Sequence, residues 1–165
     1  MNNRIFYFLL LGLIWTSCLK RESFPDTPVI SLREERYLGD SAYIALDFTD
    51  GNGDFGLSDG EFDGENYDCS KYYNVFMKYY ELNQGAWELY DLDPCVDENY
   101  VPFYYRVPYA EPTGQNKTQK GFVEVQIGNW VVNTGRDTCR FEIYIVDRTL
   151  NKSNTIYSRT LVKPE

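Results

Sequence analysis

Apolar residues in this chain recur with a period of two, and no stretch of useful length carries the 3.6-residue period of an amphipathic helix. In Ala42–Phe48, Ile44, Leu46 and Phe48 fall on one side and Tyr43, Ala45 and Asp47 on the other. Phe122–Ile127 sets Val123, Val125 and Ile127 against Glu124 and Gln126, and Thr138–Val146 does the same with Cys139, Phe141, Ile143 and Ile145. Successive side chains of a strand point to opposite faces, so each segment reads as a strand with one face buried. Further strands are expected at Pro28–Leu32, Lys71–Leu82, Ala86–Tyr90, Tyr100–Val107 and Thr155–Val162. Asn83-Gln84-Gly85 and Asn133–Asp137 supply turn chemistry between them. About seven to eight short strands with turns between them predict an all-β antiparallel sandwich with a long early loop and a long mid-chain loop.

The N-terminus predicts where such a domain sits. Arg4 supplies a basic start, Ile5–Trp15 is a compact apolar run, and Thr16-Ser17-Cys18 follows at once. A basic region, an apolar stretch too short to span a bilayer and small residues before a cut describe an export signal. The cysteine directly after that cut predicts a bacterial lipoprotein with Cys18 lipidated, although Trp15 stands where such signals prefer Leu. The organisation expected is a signal peptide over residues 1–17, a lipidated cysteine and polar tether over 18–27, and one domain over 28–165. The location expected is the outer membrane, lipid-anchored, on its periplasmic or its exterior face.

Charge and residue usage narrow the chemistry. The chain holds 25 Asp and Glu against 16 Lys and Arg, a net charge of −9, and removing Arg4 with the signal makes it more acidic still. A surface of that sign repels phosphate backbones, so no nucleic-acid partner is expected. Histidine is absent. That removes Ser-His-Asp and Cys-His nucleophiles, His-containing zinc sites and histidine acid–base work. Hydrolysis by paired carboxylates is the enzymatic option left, and no pair of acids stands out for it. The expectation is a protein that is not an enzyme.

With Cys18 set aside, Cys69, Cys95 and Cys139 remain. Cys69 and Cys95 lie in polar, loop-like surroundings, and Cys139 shares the parity of an inward-facing strand row. A Cys69–Cys95 disulfide with a buried Cys139 thiol is expected; the alternative pairs Cys139 with one of the two.

Residues 50–68 form an acidic, Gly-rich stretch in which Asp50, Asn52 and Asp54 alternate with Gly51 and Gly53, followed by Asp59 and Glu61. Calcium takes six to eight oxygen ligands from such alternating side chains and carbonyls. Asp50, Asn52, Asp54 and Glu61 match positions one, three, five and twelve of an EF-hand loop, but Phe55 stands where the sixth-position Gly belongs and the flanks are strands. An EF-hand is therefore rejected. A looser Ca2+ loop built from Asp50, Asn52, Asp54, Asp59 and Glu61 stands beside a plain solvated turn as the two readings of this stretch.

Aromatic residues make up 17% of the chain and crowd its middle. Tyr72, Tyr80, Trp87 and Tyr104 are the candidate ligand surface, since Tyr and Trp join apolar area to a polar tip. The alternative is that the segment over 91–118 lies across that face and buries it.

Two motifs carry a resemblance. Phe141-Glu-Ile-Tyr-Ile-Val-Asp-Arg-Thr-Leu-Asn-Lys-Ser-Asn154 looks like the F strand and F–G turn of bacterial immunoglobulin-like and fibronectin-type domains, with Leu150-Asn151 in place of the usual Gly-Asn. Phe48-Thr-Asp-Gly-Asn-Gly-Asp-Phe-Gly-Leu57 resembles the acidic loop of small lipoproteins of the Bacteroidetes group. The resemblance implies an immunoglobulin-like sandwich in the cell envelope and no catalytic residues. The function expected is a binding or assembly module with a protein or glycan partner, a glycan-binding accessory protein being the alternative.

The anchor has a direct test. A clickable fatty acid fed to the producing cells should label the protein, and Cys18→Ala should lose both the label and retention in the membrane fraction. Label that persists in Cys18→Ala overturns the placement.

Overall fold

A computed structural model describes residues 22–90, 95, 103–113, 116–132 and 134–164. Nine strands form two antiparallel sheets among them. They are β1 (Val29–Leu38), β2 (Ser41–Asp50), β3 (Val75–Asn83), β4 (Ala86–Leu89), β5 (Tyr104–Tyr105), β6 (Gln119–Ile127), β7 (Thr138–Ile145), β8 (Ile156–Tyr157) and β9 (Leu161–Val162). One sheet has the order β1-β2-β6, and the six-stranded sheet has the order β4-β3-β7-β8 with β5 on β3 and β9 on β7. The two sheets pack as the antiparallel β-sandwich that the alternation predicts, and read as A-B-E and C′-C-F-G the strand order is the immunoglobulin-like one that the resemblance implies.

The period-two rows meet between the sheets. Ala42, Ile44, Leu46, Val123, Val125 and Ile127 face Val75, Met77, Tyr79, Cys139, Phe141, Ile143 and Ile145, all within one buried cluster. Pairing register keeps like with like: Ile44 lies opposite Val125, and Met77 opposite Ile143. Each large apolar side chain buried this way contributes about 2 kcal/mol of transfer free energy. Phe103 reaches in from the mid-chain segment and packs edge-on against Phe141 at 5.1 Å between ring centroids.

Several boundaries differ from the sequence expectation, each for a local reason. β1 runs to Leu38 because Gly39, at φ 61°, turns the chain straight back into β2. The charged run Glu34–Arg36 hid this strand, which pairs with β2 across a register shift between Leu32 and Glu34. β3 starts at Val75, after one helical turn α1 (Cys69–Tyr72) whose Asp68 cap accepts from the Ser70 amide at 3.1 Å. Of the strand expected over Tyr100–Val107, Tyr104–Tyr105 pairs with β3, and residues 100–102 lie outside the described set. Gln84 and Gly85 both hold positive φ, 49° and 85°, as a two-residue type I′ hairpin turn requires. The last strand is split in two at Ser158, and Ser153 stands just before it. Ser153 Oγ and Ser158 Oγ accept the Ile145 and Phe141 amides at 3.0 and 2.9 Å, so side chains replace main-chain carbonyls at those rungs.

Cys69 and Cys95 are disulfide-bonded, with Cα atoms 5.6 Å apart, and Cys139 is a buried free thiol. The bridge closes a loop of 26 residues in sequence separation. Chain-entropy reasoning gives such a bridge about 3 kcal/mol. The double variant Cys69→Ser/Cys95→Ser should lose about that much in urea unfolding; an unchanged midpoint would show that the denatured chain is constrained by other means.

Glu81 is buried at 1% exposure on β3, and its carboxylate receives Lys163 Nζ at 2.7 Å and the Thr134 hydroxyl at 2.5 Å. Lys163 also donates to the Val132 carbonyl at 2.6 Å, so one ion pair ties the C-terminal strand to two other segments. Lys163→Met removes the nearer of two cations from a buried carboxylate, Arg136 Nη1 remaining at 3.8 Å, and should cost about 3 kcal/mol, read as a lowered melting temperature. Glu81→Gln in the same background should recover part of that loss.

Candidate functional site

The outer face of the six-stranded sheet is built by the even-numbered residues of β3 and β7. Phe76, Lys78 and Tyr80 stand opposite Tyr144, Glu142 and Arg140. None of these six is fully buried, whereas the odd-numbered residues between them fill the core. Two aromatic groups result, separated by the Lys78–Glu142 rung.

The first group surrounds Arg140. Its guanidinium carbon lies 4.3 Å from the Trp87 ring centre, 4.4 Å from Tyr157 and 5.9 Å from Tyr80. Stacking on several rings holds the cation without a buried counter-ion. Beside it, Glu142 accepts from the Tyr157 hydroxyl at 3.2 Å. Burial and a hydrogen bond with Glu142 raise the Tyr80 phenol above its ordinary value. The structure therefore brings Tyr80 and Trp87 together, with Arg140 between them and Tyr157.

The second group is a chain of ring contacts. Tyr72 packs edge-on against Tyr73 at 4.9 Å, Tyr73 against Tyr104 at 6.0 Å, and Tyr104 against Phe76 at 4.9 Å. Phe76 stacks on Tyr144 at 4.9 Å, and Lys152 Nζ sits 3.7 Å over that ring. Tyr72 and Tyr104 belong here, apart from Tyr80 and Trp87. Tyr104 and Tyr105 pair along the β3 edge, and Pro108 bridges onward to Leu57. Residues 91–94 and 96–102 lie outside the described set.

The acidic loop occupies a different place, at the end of β2. Asp50 is fully buried, and its Oδ2 accepts the amides of Asp54 at 3.0 Å and Phe55 at 2.8 Å. The single Thr149 hydroxyl proton is shared between Asp54 Oδ2 at 3.1 Å and Asp147 Oδ1 at 3.0 Å. That links the loop to the β7–β8 turn, where Asp147 is also buried. Burial pushes the Asp50 carboxyl up to about 6; the Phe55 and Asp54 amides oppose the shift, and the charges of Asp54 and Asp147 add to it. Asp50 Oδ1, Asn52 Oδ1 and Asp54 Oδ1 are all buried with no hydrogen-bond partner.

Two other acids from the same stretch are placed differently. Glu61 pairs with Arg148 Nε at 3.1 Å and accepts the Ser58 amide at 3.0 Å. Asp59 is exposed. Among the described residues, no three Asp, Glu, His or Cys side chains gather closely enough to form a metal cage by themselves. The third oxygen donor beside Asp50 and Asp54 is the amide of Asn52.

Gly51 and Gly53 do more than curl the loop. A Cβ on Gly51 would overlap the Phe24 carbonyl oxygen, and one on Gly53 the Lys117 carbonyl oxygen. They admit neighbouring main chain, and the Gly51 amide donates to the Pro25 carbonyl at 2.8 Å.

Sequence reasoning missed Arg140, Asp147 and Thr149. Arg140 carried one usable signal, its outward parity on β7; the other two are joined to the loop only by tertiary pairing. Cys18 lies outside the described residues. Comparison with protein-family models, curated proteins and solved structures gives no match for this chain.

Proposed function

We propose that this chain is a lipid-anchored, non-enzymatic module of the bacterial outer membrane that binds or assembles with an envelope partner. The anchor is Cys18, and the binding surface is the outer face of the six-stranded sheet. The supporting observation is Arg140 held among Trp87, Tyr157 and Tyr80 on a half-exposed sheet face. Aromatic rings with polar tips and an Arg held rigidly by stacking are the residue types that carry binding energy at protein interfaces. The buried acids serve the fold instead: Glu81 is tied to Lys163, and Asp147 Oδ1 accepts the Asn151 amide at 2.7 Å.

A glycan partner is the second reading. Flat faces at Trp87 and Tyr157 offer stacking area to a sugar ring, and Arg140 with Glu142 offers a donor and an acceptor beside it.

Both readings predict the same sensitivity and differ in the probe. Crosslinking in intact envelopes should capture a protein partner with the native chain, or a glycan array should give hits. Trp87→Ala and Arg140→Ala should weaken whichever signal appears at least tenfold. A substitution at Leu38, exposed on the other sheet, should not. Equal binding by all three variants excludes this surface; array hits without a crosslinked protein favour the glycan.

A further inference from the structure

We propose that Asp50, Asn52 and Asp54 bind one calcium ion through the three side-chain oxygens that the fold buries without a partner. The site is independent of the aromatic face. It also differs from the ligand set expected for the loop, because Asp59 and Glu61 take no part.

The two acids share a division of labour. Asp50 commits Oδ2 to the amides of Asp54 and Phe55, and Asp54 commits Oδ2 to the Thr149 hydroxyl. One oxygen of each carboxylate fixes its orientation, and the other, Oδ1, is left unsatisfied together with Asn52 Oδ1. Buried acceptors are nearly always paired, so three orphans within five residues of chain call for an explanation. Asp50 is the strongest of them, since its residue exposure is 0%.

Charge points the same way. Asp54 and Asp147 both act on Asp50 as like charges. None of the three forms an ion pair with Lys or Arg among the described residues. The nearby Arg148 sends its guanidinium to Glu61 and to Ser58 Oγ, 2.7 Å away, and only its amide reaches the Asp54 carbonyl, at 3.3 Å. The concentration of negative charge is left for a mobile cation.

The donors choose the ion. All are oxygens, two charged and one neutral, on a backbone curved by glycines. Calcium accepts irregular shells of such ligands and completes them with water, whereas magnesium demands a near-octahedral set and gives up its water reluctantly. Zinc would want the nitrogen or sulfur ligands that this loop lacks. The Gly51 and Gly53 carbonyls accept the Thr118 and Tyr109 hydroxyls at 3.2 and 3.3 Å, and water supplies the ligands beyond the three side chains.

Binding would brace a junction. The loop touches the tether at Pro25, the mid-chain segment at Tyr109 and Thr118, and the β7–β8 turn at Thr149. An ion held there would stiffen all of them together.

The test uses the intact purified protein, stripped with EDTA and titrated with calcium chloride in a calorimeter and in thermal melts. One ion per chain should bind, with a melting temperature raised by several degrees and a smaller rise with magnesium chloride. Asp54→Asn and Asn52→Ala should each weaken binding at least tenfold, whereas Glu61→Gln should bind as the native chain does. Should Asp54→Asn fail to fold, Asn52→Ala carries the test, since removing a neutral, partly exposed side chain is mild. No heat and no melting shift at millimolar calcium would overturn the proposal. So would normal binding by Asn52→Ala together with loss in Glu61→Gln, which would put the ion at the far end of the loop.

Discussion

The Asp50 carboxylate reverses the chain at the end of β2, and the arrangement of one whole end of the sandwich follows from that reversal. Its two amide bonds to Asp54 and Phe55 close a tight loop inside the protein rather than in solvent. Hydrogen bonds to a charged acceptor contribute about 1.5–3 kcal/mol each, enough to hold a glycine-rich segment against its entropy. Phe55 is thereby turned into the core against Phe48, with ring centroids 4.8 Å apart. Leu57 follows it and bridges to Pro108, which draws the mid-chain segment onto the same end.

Two arginines hold the remainder of the acidic stretch from opposite sides. Arg106 donates to the carbonyls of Ser58 at 2.7 Å and Glu61 at 2.8 Å, and to that of Tyr72 at 3.2 Å. Arg148 pairs with Glu61 and lies 4.2 Å over the Tyr109 ring. Carbonyl contacts matter here as much as charge, because they satisfy loop main chain that no strand pairs. Glu61, Asp63 and Asp68 of the later half pair with Arg148, Arg106 and Lys71, whereas Asp50 and Asp54 of the earlier half pair with no cation among the described residues. A stretch that reads as uniformly acidic is two different environments.

The contrast shows where sequence reading works. The rows at Ala42–Leu46, Val123–Ile127 and Cys139–Ile145 were legible because burial on one face imposes a period of two that nothing else imitates. Cys139 was legible from the same parity, and Cys69 with Cys95 from their polar, loop-like surroundings. The C-terminal half of β1 was not, since a charged edge strand carries no such row. Nor was the break between β8 and β9, where Ser158 stands in for a carbonyl. At the candidate surface, Tyr80 and Trp87 could be named from their density, but Arg140 acquires meaning only from β7 lying beside β3. Asp147 and Thr149 stand more than 90 residues from Asp54, and no local pattern announces such a contact.

The buried thiol of Cys139 has a consequence for how the chain reaches its native state. Among the described residues, Cys69, Cys95 and Cys139 offer three ways to make a single bridge, and oxidation does not choose among them by itself. Exchange requires a thiolate with access to a sulfur. In the folded protein Cys139 has no exposure, and burial raises its thiol further from ionisation. Packing of β3 against β7 therefore acts as the proofreader of the covalent structure: once Tyr79 and its neighbours seal Cys139 in the core, that sulfur is withdrawn from exchange and Cys69 pairs with Cys95.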